Sequence, residues 1–345
     1  MAMDIPGLLA SFSTTFSVFA ILSLSLNLEY GYAGQSNFGK VFFYSIGCYV
    51  AGYISTLFLL YFRGLRVDVG SAEAIYLRLS VAASDPALNA LAFMVALVVA
   101  FILAGIAGYF ASYPALKLRE EFLGMTLLVV GEIARTVIRG EASFSGGSEG
   151  IAGIPNPFIW IDDVTVEYLS FAGVALGLLL LTYVVVDRLA NSPYGRLLKS
   201  VRDDDIAAAS LGKRVPTVRG QVLAVSSGFS GVAGVLYAYY SGFVQADSFT
   251  PLLTFIIFAM VIVGGNGNLK GSLLGAALIS GIDLVTRVAA LGWQSQLFNP
   301  NYASYLVYAV IIIVILIFRP KGLIPEKPIR TPAWDLLDEK ENGRA

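Results

Sequence analysis

Long apolar stretches restrict the fold of this chain more than any other feature of its sequence. A helix of roughly 20 apolar residues crosses the hydrocarbon core of a bilayer with its backbone hydrogen bonds satisfied internally. Hydrophobic residues make up 57% of the 345 residues and charged residues only 14%. The sequence therefore predicts an all-α integral membrane protein, a polytopic bundle of about nine (eight to ten) transmembrane helices. The predicted spans are residues 7–28, 38–62, 90–112, 122–138, 167–189, 218–241, 252–264, 272–290 and 302–318.

The lack of histidine and the presence of a single cysteine, Cys48, exclude several kinds of chemistry. An intrachain disulfide, a thiolate or imidazole metal site and histidine-based acid–base catalysis are impossible. No spacing of carboxylates, or of serine and lysine, indicates an enzyme of another type. We therefore expect no catalytic residues, no metal ligands and no cofactor bound by this chain. The net charge of −1 gives no indication of a nucleic-acid partner.

The distribution of lysine and arginine predicts the orientation in the membrane. Most of the 23 basic residues fall on the side that contains residues 191–217 and the tail after Phe318. Loops rich in basic residues remain in the cytoplasm, so this side is predicted to be cytoplasmic and the amino terminus to lie outside. No basic residue precedes Lys40, so the first apolar run is expected to remain as a span and not to be a cleaved signal peptide.

A short polar segment, residues 191–219, separates two long apolar runs and predicts a small helix outside the membrane. The aspartates at positions 203–205 can cap this helix, residues 206–211 form its body, and Gly212 supplies the left-handed residue that ends it. The alanines at its centre present a small surface that another protein can contact. An ordinary connecting loop is the alternative interpretation.

Two glycine-rich polar segments, residues 29–40 and 143–157, are too irregular for simple linkers. Non-helical backbone at membrane depth is tolerated only where protein covers it or water fills a cavity. Each segment can therefore line a translocation pathway, and surface loops beyond the headgroups are the alternative. The residues of the first segment and its flank that are predicted to lie at a central, water-accessible cavity are Asn27, Gly34, Gln35, Ser36 and Asn37.

Two charged pairs lie inside predicted spans. Glu132 and Arg135 are three residues apart, and Asp283 and Arg287 are four apart, so each pair shares a helix face. Intramembrane charges are costly and usually face the interior of a bundle. Glu132 and Arg135, which are nearer the middle of their span, are predicted to line the pathway, and a structural ion pair is the alternative for both pairs.

Two glycine-rich stretches are similar to phosphate-binding loops but lack an essential residue or context. Residues 34–41, GQSNFGKV, fit the GxxxxGK pattern, yet Val41 stands where the serine or threonine that binds Mg²⁺ is needed. Residues 264–272 are glycine-rich as well and also lie between spans. If ATP drives this protein, we expect another subunit to bind it.

Six motifs, in order along most of the chain, resemble the permease subunits of branched-chain amino acid ABC importers, in particular the longer permease of the pair. They read LSLNLEYGYAGQSNFGKVFFYSIGCYV, EFLGMTLLVVGEIARTV with SGGSEGIAGIP, SPYGRLLKSVRDDDIAAASLGKRV, SGFSGVAGVLYAYYSGFV with DSFT, VIVGGNGNLKGSLLGA and IFRPKGL. The resemblance implies a single transmembrane permease domain, residues 1–325, followed by a polar cytoplasmic tail, residues 326–345. It also implies a transport subunit in a prokaryotic cell membrane and no enzyme.

The resemblance further implies that residues 191–219 contain the helix by which such permeases contact their ATPases. The family motif has Glu-Ala-Ala followed by Gly, and Ile206 stands here in place of the glutamate. Other departures are Lys40, where relatives commonly carry histidine, and Asn268, where they commonly carry serine. The residues implied to act in ATPase coupling are Arg202, Asp203, Asp204, Asp205, Ala207, Ala208 and Gly212.

The partners implied by the resemblance are a paired permease, two cytoplasmic ATPases that bind ATP and Mg²⁺, and an external substrate-binding protein. The implied substrates are branched-chain or other apolar amino acids, with urea, amides and simple sugars as alternatives. A stand-alone secondary transporter is the alternative class. Such a protein is expected to show intramembrane coupling carboxylates and a repeat between its halves, and no convincing repeat is present.

Overall fold

The computed structural model describes residues 5–65, 67, 69–113, 120–141, 145–292 and 300–326. Its α-helices are α1 (Ile5–Asn27), α2 (Lys40–Leu59), α3 (Ala72–Ser84), α4 (Pro86–Ala111), α5 (Glu120–Gly140), α6 (Val164–Asn191), α7 (Pro193–Asp203), α8 (Asp205–Ser210), α9 (Val215–Ser241), α10 (Pro251–Gly264), α11 (Leu269–Gly292) and α12 (Pro300–Phe318). A π-helix, Leu28–Tyr32, continues α1, and 3-10 turns span Tyr61–Arg63 and Ala246–Ser248. Strands β1 (Ile151–Ala152) and β2 (Phe243–Val244) pair antiparallel.

The long helices run between two ends of a bundle. At the first, which we call the α8 end, α6 leads into α7 and α8, and the chain returns along α9. At the second, the strand end, β1 pairs with β2 beside the last residues of α9. Arg202 of α7 donates to the Gly31 carbonyl oxygen, so the π-helix that follows α1 lies at the α8 end. Leu323, after α12, donates to the Val263 carbonyl oxygen, so α10 and α12 also finish there.

Helix α9 lies at the centre of the bundle because its small residues let neighbouring backbones approach closely. A Cβ added to Gly47 of α2 would lie 1.9 Å from the Gly231 carbonyl oxygen, and one added to Gly234 would lie 2.2 Å from the Tyr44 carbonyl oxygen. In the most apolar stretch of α9, 83% of the residues are buried. Close approach of this kind maximises van der Waals contact between membrane helices.

Seven helices of the described residues are long and apolar enough to cross a membrane, which confirms a multi-pass, all-α membrane protein. The prediction of about nine spans is not confirmed. Helix α5, predicted as the span 122–138, is too charged along its length to qualify. For helix α12, predicted as the span 302–318, the search of the described residues gives the apolar stretch Leu306–Ile315, which is shorter than a span.

The second glycine-rich segment forms a packed cap at the strand end, although residues 142–144 of it lie outside the described part of the chain. Gly146 adopts a φ of 72°, and a Cβ there would lie 1.9 Å from the Gly150 carbonyl oxygen. Ile151 is buried, and Asn89 of α4 donates to the Asn156 carbonyl oxygen at 2.8 Å. Protein therefore covers the segment, and none of its described residues lines either cavity discussed below.

Arg78 of α3 connects this cap to the bundle. Its guanidinium is fully buried and donates to the Thr56 hydroxyl at 2.7 Å and to the Ala152 carbonyl oxygen. Burial lowers the pKa of Arg78 to about 10, since the charged form has left water. The side chain thus joins α2, α3 and β1 at one point.

Candidate functional site

The polar segment between α6 and α9 folds into two short helices. Ser192 caps α7 by accepting from the backbone amides of Tyr194 and Gly195, and Asp204 caps α8 by accepting from the Ala207 amide at 2.9 Å. Gly212, just after the end of α8, has a left-handed φ of 77°. The predicted aspartate cap and left-handed glycine stop are therefore both confirmed.

The exposed face of α8 differs from the predicted alanine face. Ala208 is only 3% exposed and belongs to the buried core, whereas Ala207 is exposed. The large side chains on the open side are Ile206, 77% exposed, and Leu211, 80% exposed. A short helix of this kind packs one side against the bundle, and Ala208 lies on that side. The accessible surface at this tip therefore includes two branched apolar side chains.

Arg202, predicted as a coupling residue, faces the bundle and not the tip. Its Nη1 donates to the Gly31 carbonyl oxygen at 2.6 Å and to Glu326 Oε2 at 2.9 Å. Lys199 binds the other oxygen of Glu326 at 2.7 Å. Burial acts to lower the pKa of Arg202, but Glu326 and Asp203 outweigh it and raise that pKa. Helix α7 is thus tied both to the π-helix and to the segment after α12.

The other aspartates of the predicted coupling set also make local contacts. Asp203 pairs with Arg202 at 3.1 Å, and Asp205 pairs with Arg219 of α9 at 3.3 Å. Asp205 and Asp203 are both partly exposed, so the two pairs are screened by solvent and contribute modestly to stability. The first pair lies within α7, whereas the Asp205–Arg219 pair ties the start of α8 to α9.

Asn27, predicted for the pathway, is fully buried where the π-helix begins. Its amide nitrogen donates to the Asn268 carbonyl oxygen at 3.1 Å and to the Ser272 hydroxyl at 2.7 Å. Its amide oxygen accepts from the Gly267 backbone at 2.9 Å. A Cβ on Gly31 would lie 1.8 Å from that oxygen, so only glycine fits there. In this structure Asn27 joins the π-helix to the turn between α10 and α11.

A buried ion pair, which sequence reasoning missed, closes the segment between α1 and α2. Glu29 and Lys40 are both 0% exposed, and their charged atoms are 3.3 Å apart. Asn37 donates to the second Glu29 oxygen at 3.0 Å. Lys40 also donates to the Ser226 hydroxyl of α9 at 2.5 Å, and that hydroxyl donates to the Ser25 carbonyl oxygen. One sequence feature could have predicted this pair: an acidic and a basic residue stand at the two ends of the glycine-rich segment 29–40.

Gln35 and Ser36 lie in the loop between the π-helix and α2. Gln35 is 1% exposed, and neither atom of its side-chain amide has a hydrogen-bond partner within the described residues. A Cβ on Gly124 of α5 would meet the Ser36 carbonyl oxygen at 2.8 Å, so this loop packs against α5. Gly34 has a φ of 72° and lies against Arg202. Neither described cavity is lined by Asn27, Gly34, Gln35, Ser36 or Asn37, so their pathway role stays a prediction.

Glu132 and Arg135 form the predicted pair on α5, and the pair extends to a further partner. Arg135 Nη2 lies 2.7 Å from Glu132, while Arg135 Nη1 and Arg139 each lie 3.3 Å from Asp247, which follows α9. Glu132 and Arg135 line a cavity of about 20 Å³, the size for a single water molecule. The cluster joins α5 to the strand end of the bundle, and its pathway role stays a prediction.

A much larger cavity, of about 740 Å³, lies among α1, α9, α10, α11 and α12, with one tyrosine each from α2 and α6 in its wall, in the half of the bundle nearer the strand end. Its wall includes Phe19, Tyr44 and Ile256, and also Ser241 and Ser248, which flank β2 at the strand end. Asp283 is on its wall, whereas nothing is described of the Arg287 side chain.

The sequence was compared with known proteins. Residues 8–316 match the family described as "Branched-chain amino acid transport system / permease component". A protein of Methanocaldococcus jannaschii, named a probable branched-chain amino acid transport permease protein LivM, is 34% identical over 92% of this chain and 93% of its own length. The Escherichia coli high-affinity branched-chain amino acid transport system permease protein LivM is 27% identical over 91% of this chain and 69% of its own length. An Enterobacter autoinducer 2 import system permease protein LsrC is 25% identical over 79% of this chain and 78% of its own length. No solved structure matches.

Proposed function

Since the chain belongs to the branched-chain amino acid transport permease family, we propose that it forms part of the translocation pathway of an ABC importer for branched-chain amino acids. In this proposal it pairs with a second permease, is driven by two ATPases at the α8 end, and receives its substrate from a binding protein at the strand end. The α8 end then faces the cytoplasm. The chain is itself a transport subunit and no enzyme.

The observation that carries the proposal is the apolar tip of α8. Ile206 of α8 and Leu211, the residue that follows α8, are largely exposed beyond the ends of the spans α6 and α9. Large apolar side chains exposed close together in the sequence on a water-facing surface indicate a contact with a partner protein. The tip is therefore suited to insert into a groove of an ATPase.

Contacts behind the tip support transmission of movement to the bundle. Helix α8 is held by the Asp205–Arg219 pair, and α7 is held through Arg202 to the Gly31 carbonyl oxygen. A displacement of the tip by ATP binding would therefore move the π-helix and the start of α9 together. This route ends at the buried Glu29–Lys40 pair.

ATP and Mg²⁺ are assigned to the partner ATPases. Lys40, the lysine of the GxxxxGK-like stretch, is buried against Glu29 and Ser226, so its ammonium is already engaged by this chain. The same pair argues against a stand-alone transporter coupled through Glu29, because that carboxylate has a fixed cationic partner.

The test is ATP hydrolysis and leucine uptake by the complex reconstituted in liposomes with the Ile206→Asp and Leu211→Asp variants. A charge placed in an apolar contact would be desolvated, so we expect both substrate-stimulated hydrolysis and uptake to fall about tenfold or more. The conservative Ile206→Leu and Leu211→Met variants should retain both activities. Copurification of the subunits separates failed docking from failed expression. Full activity of both aspartate variants would contradict the proposal.

A further inference from the structure

We propose that α3 lies in the membrane interface at the strand end and that one of its sides contacts phospholipid. The helix, Ala72–Ser84, begins where the Ser71 hydroxyl accepts from the Ala74 amide at 3.2 Å, and only Asp85 separates it from α4. Its 13 residues give a length of about 20 Å, which is too short for a hydrocarbon core of roughly 30 Å. The helix therefore cannot be a span, and its three sides indicate what surrounds it.

The first side of α3 packs against the protein. Ala74, Arg78 and Val81 recur with the helical period, and all three are buried. Val81 lies in a small apolar cluster with Leu59, the last residue of α2, and with Leu88, in the first turn of α4. This side therefore fixes α3 at the level where α2 ends and α4 begins.

The second side of α3 is apolar and exposed. In a helix of roughly 3.6 residues per turn, its members lie within about 60° of one another. They are Ala72, Tyr76, Leu79 and Ala83. Tyr76, the largest of them, is 73% exposed. Exposed apolar area on one side of a helix is unfavourable in water and favourable in contact with acyl chains.

The third side of α3 is polar and lies between the other two. Its members, which are all exposed, are Glu73, Ser80 and Ser84. A helix with an apolar and a polar side next to each other is typical of the membrane surface. There the apolar side enters the boundary between headgroups and acyl chains by about 5–10 Å, and the polar side faces water.

Exposed aromatic side chains from two other segments stand beside α3. Phe62, in the 3-10 turn after α2, is 68% exposed and packs edge to face on Phe58, with 5.0 Å between the ring centroids. Trp160 is 53% exposed, and its neighbour Ile159 packs on the cluster that contains Val81. Tryptophan and tyrosine are enriched at the boundary of membrane and water, because their rings are apolar and carry one polar group.

Helix α4 indicates the depth of α3 and favours lipid over a protein partner. Asp85, which caps α4, pairs with Arg63 at 2.8 Å, and both side chains are about two-fifths exposed. Leu91 and Met94, further along α4, are exposed apolar residues of a candidate span. Asp85 and Leu91 are about 9 Å apart along the helix, which is close to the roughly 5–8 Å of headgroup region on each side of a bilayer. The lipid-facing surface of α4 therefore begins beside α3.

The inference goes beyond the proposed function, because it holds whichever end of the bundle faces the cytoplasm. Arg78 donates to the Ala152 carbonyl oxygen, so α3 also links the membrane surface to β1. Lipid contact on the second side of α3 thus holds the cap at the strand end at a fixed depth.

The experiment compares quenching of tryptophan fluorescence by lipid and by water-soluble iodide, with the full chain in nanodiscs. The chain has three tryptophans, Trp160, Trp293 and Trp334, and each is first replaced by phenylalanine. Tyr76→Trp then probes the apolar side, and Ser80→Trp, one turn on, is the matched control on the polar side. We expect phospholipid brominated near the glycerol end of its acyl chains to quench Tyr76→Trp at least about twofold more than Ser80→Trp. Iodide should give the reverse order.

The native Trp160 provides a measurement that leaves α3 unchanged. In the Trp293→Phe, Trp334→Phe variant, bromine near the glycerol end should quench Trp160 at least about twofold more than bromine at the chain end, since an interfacial ring lies at headgroup level. Equal lipid quenching of Tyr76→Trp and Ser80→Trp would overturn the proposal. Stronger quenching of Trp160 by bromine at the chain end would overturn it as well.

A final measurement separates lipid from a protein partner. The quenching of Tyr76→Trp is repeated after assembly with the second permease, the ATPases and the binding protein of the proposed importer. Lipid quenching that persists in the assembled complex supports contact with the bilayer. Its loss would show that another subunit covers this side of α3 and would refute the inference, while the proposed function would stand.

Discussion

At the scale of single residues, the buried Glu29–Lys40 pair carries a high cost in desolvation. Removing two charges from water has a desolvation penalty of several kcal/mol per ion, which is compensated only with good geometry and further hydrogen bonds. Asn37 and Ser226 provide such hydrogen bonds, one to each charged group. The pair joins α1, α2 and α9, so its contribution lies in fixing these helices relative to one another.

Removing one partner of this pair should destabilise the protein more than removing both. Lys40→Met leaves Glu29 as an unpaired buried charge, and we expect a loss of about 3–5 kcal/mol of stability. In the double variant Glu29→Gln with Lys40→Met, no charge is buried, so the loss should be smaller. Thermal unfolding of the purified single and double variants measures the difference. A double variant less stable than Lys40→Met would show that the pair is a net source of stability.

At the scale of elements, α7 connects the α8 tip to the rest of the bundle. Arg202 and Lys199 extend from one side of it to Glu326, and Arg202 also reaches the Gly31 carbonyl oxygen. The segment that contains Glu326 is itself held by backbone hydrogen bonds from Leu323 and Ile324 to the end of α10. Three elements distant in sequence therefore meet at one guanidinium.

Loss of this guanidinium should uncouple ATP hydrolysis from transport. In Arg202→Met the Gly31 carbonyl oxygen loses its donor and Glu326 keeps only Lys199, so movement of α8 is transmitted less directly. We expect the ATPases to copurify normally. Leucine uptake per ATP hydrolysed should fall about threefold or more, because one hydrogen bond from a charged group is lost. Arg196→Met is the matched control, because Arg196 is exposed on the same helix. Equal leucine uptake per ATP in Arg202→Met and Arg196→Met would exclude transmission of movement through Arg202.

At the scale of the whole molecule, the elements alternate consistently between the two ends. Helix α9 is the central element, and the strand pair and the α7–α8 unit cap its opposite ends. The basic-residue asymmetry predicts that the α8 end faces the cytoplasm, which remains a prediction about the molecule in its membrane.

Cysteine labelling tests this orientation. In a Cys48→Ser background, which removes the buried native thiol, Ser200→Cys at the α8 end and Ser148→Cys at the strand end are both exposed positions. Ser145 is unsuitable because it is fully buried. With the α8 end in the cytoplasm, an impermeant maleimide should label Ser148→Cys in intact cells and Ser200→Cys only after permeabilisation. The reverse pattern would invert the topology.

Local sequence signals predicted the features that depend on a few neighbouring residues. Long apolar runs predicted a helical membrane protein, and the described part of the chain contains seven helices of that kind. Asp204 and Gly212 predicted where α8 starts and stops, because caps and left-handed glycines act within one turn. Ordered motifs along most of the chain predicted the permease family, which the match over residues 8–316 confirms.

Tertiary packing decided the rest, because it depends on residues far apart in the sequence. Which side of α8 is open depends on how this helix packs against the bundle, where Ala208 is buried and Leu211 is exposed. Arg202 meets Glu326 across 124 positions, and Lys40 meets Ser226 across 186. A sequence fixes which charges exist and which residues can cap a helix. Which of the distant charges meet, and where a cavity remains between helices, is determined only when the helices pack.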